Sequence, residues 1–435
     1  MEHRYRALAV LCVATLMIVV DQTVVGVALP VLRADLGFTD AGLAWVVNGY
    51  VIPFGGFLLL SGRLGDLLGR RRVFLAGLAL FTAASLAAGL ATDAGTLVAA
   101  RVAQGVGGAL VSAVTLAMLV PLFPDPAERA RALGVFSFVQ AAGGSLGSVL
   151  GGVLTQLASW PWIFYVNLPI GVAAGLGARY LTRDRRGEGA ADVLGGVLVT
   201  TGVLALVYAI VQDARVAVPA VLLLAGFVVR EAAARDPLLP PRTFRSRAVA
   251  GANGVLALLT AAVFGFLFFG VLHLQCALGF DALRTGFGLV PVALCIGAVS
   301  LGLSARVVTR FGARPVLLVG LALVVVGLAL FGRDASYTLG VLPSTLLLGV
   351  GFGLAMPALM GLGMAEATER DAGLVSGVFN TSQQVGGGLG LAVATAVAGA
   401  DHSAAFLVCA GFALAALVLA AVVTRRDRPV RTAAP

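Results

Sequence analysis

Apolar stretches of 20 or so residues recur along the whole chain, and this recurrence constrains the fold more than any other feature. A helix of about 20 residues spans the roughly 30 Å hydrocarbon core of a bilayer. Fourteen such runs fall at roughly 7–30, 43–62, 73–92, 96–121, 132–157, 161–182, 192–212, 216–231, 248–274, 285–305, 315–332, 337–363, 374–399 and 403–424. Of the 435 residues, 59% are hydrophobic and 12% charged, against roughly 45–50% and 25% in soluble domains, so a soluble globule is excluded. Fourteen spans occupy about 280 residues and leave about 155 for loops and tails, which excludes a sizeable soluble domain.

The net charge of +9 and pI of about 10.2 would suit a nucleic-acid binder, but mean hydropathy is +1.00 and the basic residues fall in short segments between the apolar runs. They read as membrane topology, with no nucleic-acid partner. All 30 basic residues are arginine. Without lysine there is neither a phosphate-binding Walker lysine nor a Schiff-base lysine, so an ATP-driven pump within this chain is excluded. An arginine-only, Ala/Gly/Leu/Val-rich composition points to a high-GC bacterial genome and hence to the bacterial cytoplasmic membrane. Cys12, Cys276, Cys295 and Cys409 stand singly in different runs, without a CxxC or a histidine at ligand spacing. They are expected to face lipid or pack in the core, with no metal and no cofactor. Arg4 and Arg6 before an apolar stretch imitate a signal peptide, but the stretch continues to Pro30 and a dozen similar runs follow, so it is expected to be the first span.

With the N-terminus inside, 25 arginines fall on the cytoplasmic side and four outside, namely Arg33, Arg215, Arg284 and Arg333, while Arg101 lies within a run. This asymmetry predicts an even number of spans with both termini cytoplasmic. Trp45, Trp160 and Trp162 then map to the outer interface.

An internal repeat organises the spans. Gly134-Val-Phe-x3-Gln140-x2-Gly143-Gly-x-Leu146-Gly147 recurs as Gly377-Val-Phe-x3-Gln383-x2-Gly386-Gly-x-Leu389-Gly390, an offset of 383 − 140 = 243. The same offset relates Arg63 to Arg306, Gly69 to Gly312, Arg71 to Arg314 and Gly77 to Gly320. One offset serving two separate regions indicates duplication of a whole half. The expected architecture is an all-α polytopic membrane protein: a six-helix bundle at 1–187, two inserted helices and a cytoplasmic linker at 188–247, and a second six-helix bundle at 248–435. Two parallel halves with a mid-membrane site between them is a common plan for alternating-access transporters.

The motifs resemble the major facilitator superfamily, and within it the fourteen-helix drug:proton antiporter branch, over nearly the whole chain. Asp21-x-Thr23-x3-Val27-Ala28-Leu29-Pro30 is similar to that branch's first-span aspartate motif, and Trp45-x4-Tyr50 to its second-span opening. Gly62-Arg-Leu-Gly-Asp66-Leu-Leu-Gly69-Arg70-Arg71-Arg72 resembles the superfamily signature and is the most specific match. Arg101-x2-Gln104-Gly105-x-Gly107-Gly108 and Trp160-x-Trp162-Ile-Phe-x2-Asn167-x-Pro169-x-Gly171 resemble the fourth-span and sixth-span motifs. The fifth-span antiporter pattern departs at one position, having Ser148 where the family has proline, while Gly143, Gly147, Gly151 and Gly152 are kept. Glycines four apart share a helix face and admit a close neighbour; the missing proline removes a kink.

Asp21 lies deep in an apolar span, where a carboxylate costs about 2.5–3.5 kcal/mol on insertion scales. It is either a structural hydrogen-bond partner or the group that carries a proton or faces a cationic substrate. Asp21 sits about 14 Å and Arg101 about 8 Å below the outer ends of their runs, a difference that a long arginine side chain covers. Arg101, Gln104, Asn48 and Tyr50 are candidate substrate or charge partners. The Gly62–Arg72 loop is either a positive-inside anchor or, as the resemblance implies, a cytoplasmic latch in which Gly62, Asp66, Gly69, Arg70 and Arg71 hold the outward-open state, with Asp66 near the positive end of the span starting at about 374. Gln140, Gln383, Gln384, Asn48, Asn253 and Asn380 either join helices or line a cavity, and His273 needs no function. Gly349-x-Gly351-x-Gly353 imitates a dinucleotide loop but lies in an apolar run without a preceding strand.

These features together predict a proton-driven efflux antiporter, not an enzyme, that exports an amphipathic or cationic organic compound and acts as a monomer. Its expected partners are a small-molecule substrate, protons and the lipid bilayer. An importer or facilitator of a small polar solute is the alternative within transport; anionic solutes need more cavity cations than Arg101 alone. A non-transporting sensor or scaffold would need neither Asp21 nor the latch.

Overall fold

The computed structural model describes residues 2–123, 125–181, 192–234, 247–331, 336–364, 372–399 and 401–423. Their regular elements are all helical: α1 (Glu2–Leu36), α2 (Asp40–Leu68), α3 (Arg70–Gly89), α4 (Ala94–Leu122), α5 (Pro126–Leu157), α6 (Trp162–Tyr165), α7 (Asn167–Gly177), α8 (Val193–Val211), α9 (Ala217–Ala233), α10 (Arg247–Leu272), α11 (Ala282–Ala298), α12 (Ala305–Phe311), α13 (Ala313–Leu330), α14 (Leu342–Met364), α15 (Ala372–Ala398) and α16 (His402–Val423). Apolar chain in lipid must satisfy its backbone within itself, which helices do. Each of the fourteen apolar runs is helical, and eleven helices among the described residues are long and apolar enough to cross a membrane.

The other three expected spans differ for separate reasons. The run at 161–182 breaks at Val166 into α6 and α7. Within α5 (Pro126–Leu157) the described stretch Leu146–Leu157 is apolar. In α15 the consecutive Asn380, Thr381, Ser382, Gln383 and Gln384 dilute the apolar character. The arginines at 183–186, 235–245, 333, 370 and 425–431 lie outside the described residues.

Packing follows a paired pattern. α1 lies on α5 and α7, α3 on α4 and α7, and α2 on α4; α10 lies on α15 and α16, α13 on α14 and α16, and α11 on α14. The two groups meet through α2 with α15 and α5 with α11. α8 pairs with α9 and covers both α2 and α15, joining Ile52, Val203, Val207 and Ala392 in a small apolar cluster.

At the end of α1 near Val27 the two groups are tied directly. Gln275 Nε2 donates to the Val27 carbonyl at 3.0 Å, and the Leu283 amide donates to Gln156 Oε1 at 3.2 Å. The largest apolar cluster runs across this side, from Val24, Ala28 and Leu32 to Leu259, Phe266 and Leu289.

Two glycines shape the tight turns. Gly69 (φ +94°) and Gly312 (φ +86°), 243 apart, each form a single-residue turn between helices, a left-handed conformation that glycine adopts without strain. Gly62, by contrast, lies inside α2 with open space where a Cβ would stand. The expectation that two glycines bound a loop from 62 to 72 is therefore corrected: α2 stays helical to Leu68, and Gly69 alone makes the turn.

The glycine face of α5 supplies the first prediction. A Cβ on Gly151 would stand 2.6 Å from the Val24 carbonyl oxygen of α1, whereas one on Gly144 meets nothing within 4 Å. Gly151→Leu should abolish the monodisperse chromatographic peak of detergent-purified protein while Gly144→Leu preserves it; equal behaviour of the two variants would refute the α1–α5 contact.

Candidate functional site

Five helices converge on Asp21. It lies on α1, Tyr50 on α2, Ser85 on α3, Arg101 and Gln104 on α4, and Asn167 at the first residue of α7. All six are buried, Arg101 at 1% exposure and the other five at 0%. Arg101 and Gln104 stand one turn apart, so both side chains leave α4 on the same face. The break at Val166 starts α7 where the Asn167 side chain reaches the same point.

The carboxylate is enclosed by donors. Arg101 Nη1 donates to Asp21 Oδ2 at 2.5 Å; Gln104 Nε2 and Asn167 Nδ2 donate to Oδ1 at 3.0 Å and 2.7 Å. The arginine is held in turn: Nε donates to the Val46 carbonyl at 3.0 Å, Nη1 to Gln104 Oε1 at 3.0 Å, and its guanidinium carbon lies 4.3 Å from the centre of the Tyr50 ring, a cation–π contact. Ser85 Oγ accepts from Gln104 at 2.8 Å and Asn167 at 3.3 Å and donates to the Phe81 carbonyl at 2.9 Å. The result is a charge-assisted network built entirely from α1, α2, α3, α4 and α7.

Of the four expected partners, Arg101, Gln104 and Tyr50 gather around Asp21. Asn48 does not: it faces α15, where a Cβ on Gly388 would stand 3.4 Å from its Oδ1. Two members of the network, Ser85 and Asn167, were not among the expected site residues. Asn167 was visible only as part of a motif, and Ser85 as one hydroxyl in an apolar helix; neither carries the charge that marks a residue as costly in a span.

The residues of the fifth-span pattern use two faces of α5. Gly143, Gly147 and Gly151 meet α1: Cβ positions there fall 2.9 Å from Val19 Cγ1, 2.9 Å from the Val20 carbonyl oxygen and 2.6 Å from that of Val24. Ser148 and Gly152 meet α11, where a Cβ on Gly286 would stand 2.6 Å from the Ser148 carbonyl oxygen and one on Gly152 2.6 Å from that of Ala282. Ser148 Oγ donates to the Gly144 carbonyl at 3.3 Å, within an uninterrupted α5.

At the other end of α2, Asp66 pairs with Arg70 Nη2 at 3.3 Å and its side chain is 55% exposed. Arg70 Nη1 also donates to the Ala117 carbonyl of α4 at 2.7 Å, tying the turn to that helix. Arg71 Nε is buried without a hydrogen-bond partner among the described residues. α15 starts at Ala372, and residues 365–371 just before it lie outside the described residues. A Cβ on Gly377 would stand 2.6 Å from Leu59 Cδ2, so the start of α15 runs beside the C-terminal part of α2.

The profile of the Major Facilitator Superfamily matches residues 11–391 and 303–435. The chain belongs to this superfamily. It is 36% identical to the puromycin resistance protein pur8 of Streptomyces alboniger, over 97% of this chain and 90% of that one. It is 40% identical to the cephamycin export protein CmcT of Amycolatopsis lactamdurans, over 91% and 85%. The methylenomycin A resistance protein of Bacillus subtilis is 32% identical over 95% and 93%. Among solved structures, an auto-inhibited peptide transporter of the POT family superposes with a TM-score of 0.71 at 17% identity, covering 98% of this chain and 99% of that one. The human organic anion transporter MFSD10 gives 0.66 at 19%, covering 96% and 99%. These two likenesses concern the fold. As a superfamily member with eleven apolar helices of spanning length, the chain is an integral membrane protein.

In this superfamily member the ion pair carries a prediction about stability. Removing one partner of a buried pair strands the other charge, a loss of about 3–5 kcal/mol. Arg101→Ala should therefore lower the thermal midpoint of the detergent-purified protein, and adding Asp21→Asn should restore part of the loss. A single mutant as stable as the parent, or a double mutant worse than the single, would refute this account.

Proposed function

We propose that the chain is a proton-driven efflux antiporter that exports an amphipathic or cationic organic compound, a drug or natural product, from a bacterial cell across its cytoplasmic membrane. The observation that carries this reading is the Asp21 network, a fully buried carboxylate with a buried arginine partner in the middle of a helix of membrane-spanning length. The relatives named for puromycin resistance, cephamycin export and methylenomycin A resistance support the substrate class. Asp21 is the proton carrier; Arg101, Gln104 and Tyr50 are its charge partners and Asn48 a substrate contact. The chain works as a monomer.

The arrangement is fourteen spans: six in residues 1–187, two inserted at 188–247 and six in 248–435, with both termini cytoplasmic. Supporting the two halves, the packing pairs α1–α5, α3–α4 and α2–α4 recur as α10–α15, α13–α14 and α11–α14. The boundary at 187–188 lies outside the described residues.

Coupling runs along α1. A proton on Asp21 removes one side of the ion pair, while Arg101 keeps the Val46 carbonyl, Gln104 and the Tyr50 ring. The hold of α4 on α1 weakens. Val27, six residues or about 9 Å further along α1, accepts the Gln275 hydrogen bond that ties the outer ends together, so a shift of α1 loosens that tie. At the opposite end Gly62, Asp66, Gly69, Arg70 and Arg71 form the cytoplasmic latch: Asp66 lies about two turns beyond Leu59, near the start of α15, and favours one of the two states by its interaction with that positive helix end.

Three measurements test this reading. In vesicles with an imposed pH gradient, Asp21→Asn should abolish gradient-driven accumulation and Asp21→Glu retain part of it. If Asp21→Asn loses only cationic compounds and still pumps neutral ones, Asp21 is a recognition residue; wild-type transport indifferent to the gradient removes proton antiport. Asp66→Asn should impair transport at normal membrane abundance, and normal efflux would reduce the turn to a topology signal. Single cysteines in the 183–191 and 232–247 segments should be labelled only from the cytoplasm and one at Asp213 only from outside; the reverse pattern overturns the fourteen-span topology.

A further inference from the structure

The seam where α2 meets α15 holds polar atoms that no helix-joining contact uses. Asn48 is 1% exposed, yet neither its Nδ2 nor its Oδ1 has a hydrogen-bond partner among the described residues. The same holds for Gln384 Oε1 on α15 and, one turn from Asn48 toward the outer end of α2, for Trp45 Nε1. Buried amides are almost always satisfied, so these groups call for an explanation.

Geometry excludes the ordinary one. An amide that joins helices would face an acceptor or donor across the seam, as Thr381 does when its Oγ1 donates to the Gly55 carbonyl at 3.1 Å. Asn48 faces Gly388, which offers no side chain. On the flank of the seam α8 lays Val203 and Val207 against Ile52, and the Trp45 ring lies 6.1 Å from that of Tyr208. The inserted helix thus screens the polar seam from lipid. Donors and acceptors along one seam are shielded from lipid and have no partner among the described residues.

We propose that Asn48, Gln384 and Trp45 form a hydrogen-bonding subsite for a neutral polar group of the transported compound, an amide, carbonyl or hydroxyl, roofed on the lipid side by α8. It is separate from the Asp21 network, whose carboxylate is satisfied by three donors. The inference rests on the efflux reading and deepens it: charge is handled on α1 and α4, while neutral polar groups are read where the two halves meet. Because α2 and α15 belong to different groups of helices, a compound bound there bridges them and is sensitive to their relative movement.

Two probes separate the subsite from a structural amide. Puromycin carries amide and hydroxyl groups; tetraphenylphosphonium is a cation with no hydrogen-bonding group. In vesicles, Asn48→Ala and Gln384→Leu should raise KM for puromycin by about tenfold, the loss of one hydrogen bond, leave tetraphenylphosphonium efflux unchanged, and keep the dependence on the pH gradient; Asn48→Ser should recover part of the puromycin affinity. In a chain with its four native cysteines replaced, the thiol of Asn48→Cys should react with a small membrane-permeant thiol reagent and be protected by puromycin. Equal effects on both probes, no effect on either, or an unreactive thiol overturns the subsite. If the wild-type chain moves neither probe, the efflux reading fails, and the thiol alone decides: reaction supports an accessible polar pocket and its absence refutes one.

Discussion

The Asp21–Arg101 ion pair is the constraint around which α1, α2, α3, α4 and α7 are arranged. Each charge is expensive in a span, about 2.5–3.5 kcal/mol on insertion scales, and a buried pair is tolerable only when geometry and extra hydrogen bonds satisfy what remains. Here the remainder is met in full on the carboxylate, which takes three donors, and on the arginine by a carbonyl, an amide oxygen and an aromatic face. Those partners come from α2, α4 and α7, and Ser85 of α3 accepts from Gln104 and Asn167 in turn. The positions of these helices are therefore mutually specified at one point, and none can move far without exposing a charge.

That fixed point needs a means of approach. Between lipid-embedded helices there is no hydrophobic drive to associate; close packing and hydrogen bonds do the work. The glycine face of α5 lets α1 come within backbone distance along Gly143, Gly147 and Gly151, while the other face of α1 carries Asp21 into the network. On α4, Gly105 and Gly108 serve Tyr50 in the same way: a Cβ at Gly105 would overlap the Tyr50 carbonyl oxygen, and one at Gly108 would stand 3.0 Å from the Tyr50 hydroxyl. Glycines on α4 and α5 thus let the helices that carry the buried pair approach closely.

What could be read in advance follows this division. The apolar runs are legible because a bilayer forbids unsatisfied backbone, and Asp21 and Arg101 because a charge in such a run is conspicuous. Ser85 and Asn167 were not, since uncharged polar residues are common in spans and most bond to their own helix, as Thr15, Thr82 and Thr115 do. Asn48 illustrates the converse. It stood out as a polar residue two positions from Tyr50, but α2 turns the two side chains toward different neighbours, α15 and α4, and only the packing reveals that. The turn after α2 was misplaced by seven residues because Gly62 and Gly69 look alike in a sequence; positive φ belongs to Gly69 alone.

The offset of 243 also exposes an asymmetry. It carries Asp21 to Phe264, Tyr50 to Ala293, Arg101 to Ser344 and Gln104 to Leu347. Ser344, the one polar residue of the four, donates to the Gly340 carbonyl of its own chain segment at 2.9 Å and makes no network. Phe264 instead packs against the apolar cluster of α1 to α4. An ionic event in the first group of helices can therefore reach the second through contacts such as Val27 with Gln275, Phe264 with the first group's apolar cluster, α5 with α11, and the α2–α15 seam. Of these the seam alone combines unpartnered polar atoms with a helix, α8, that touches both sides. A cargo group bound there and a charge neutralised at Asp21 would act on α2 from its two faces, Asn48 on one and Tyr50 on the other, which makes α2 the element where the two events meet.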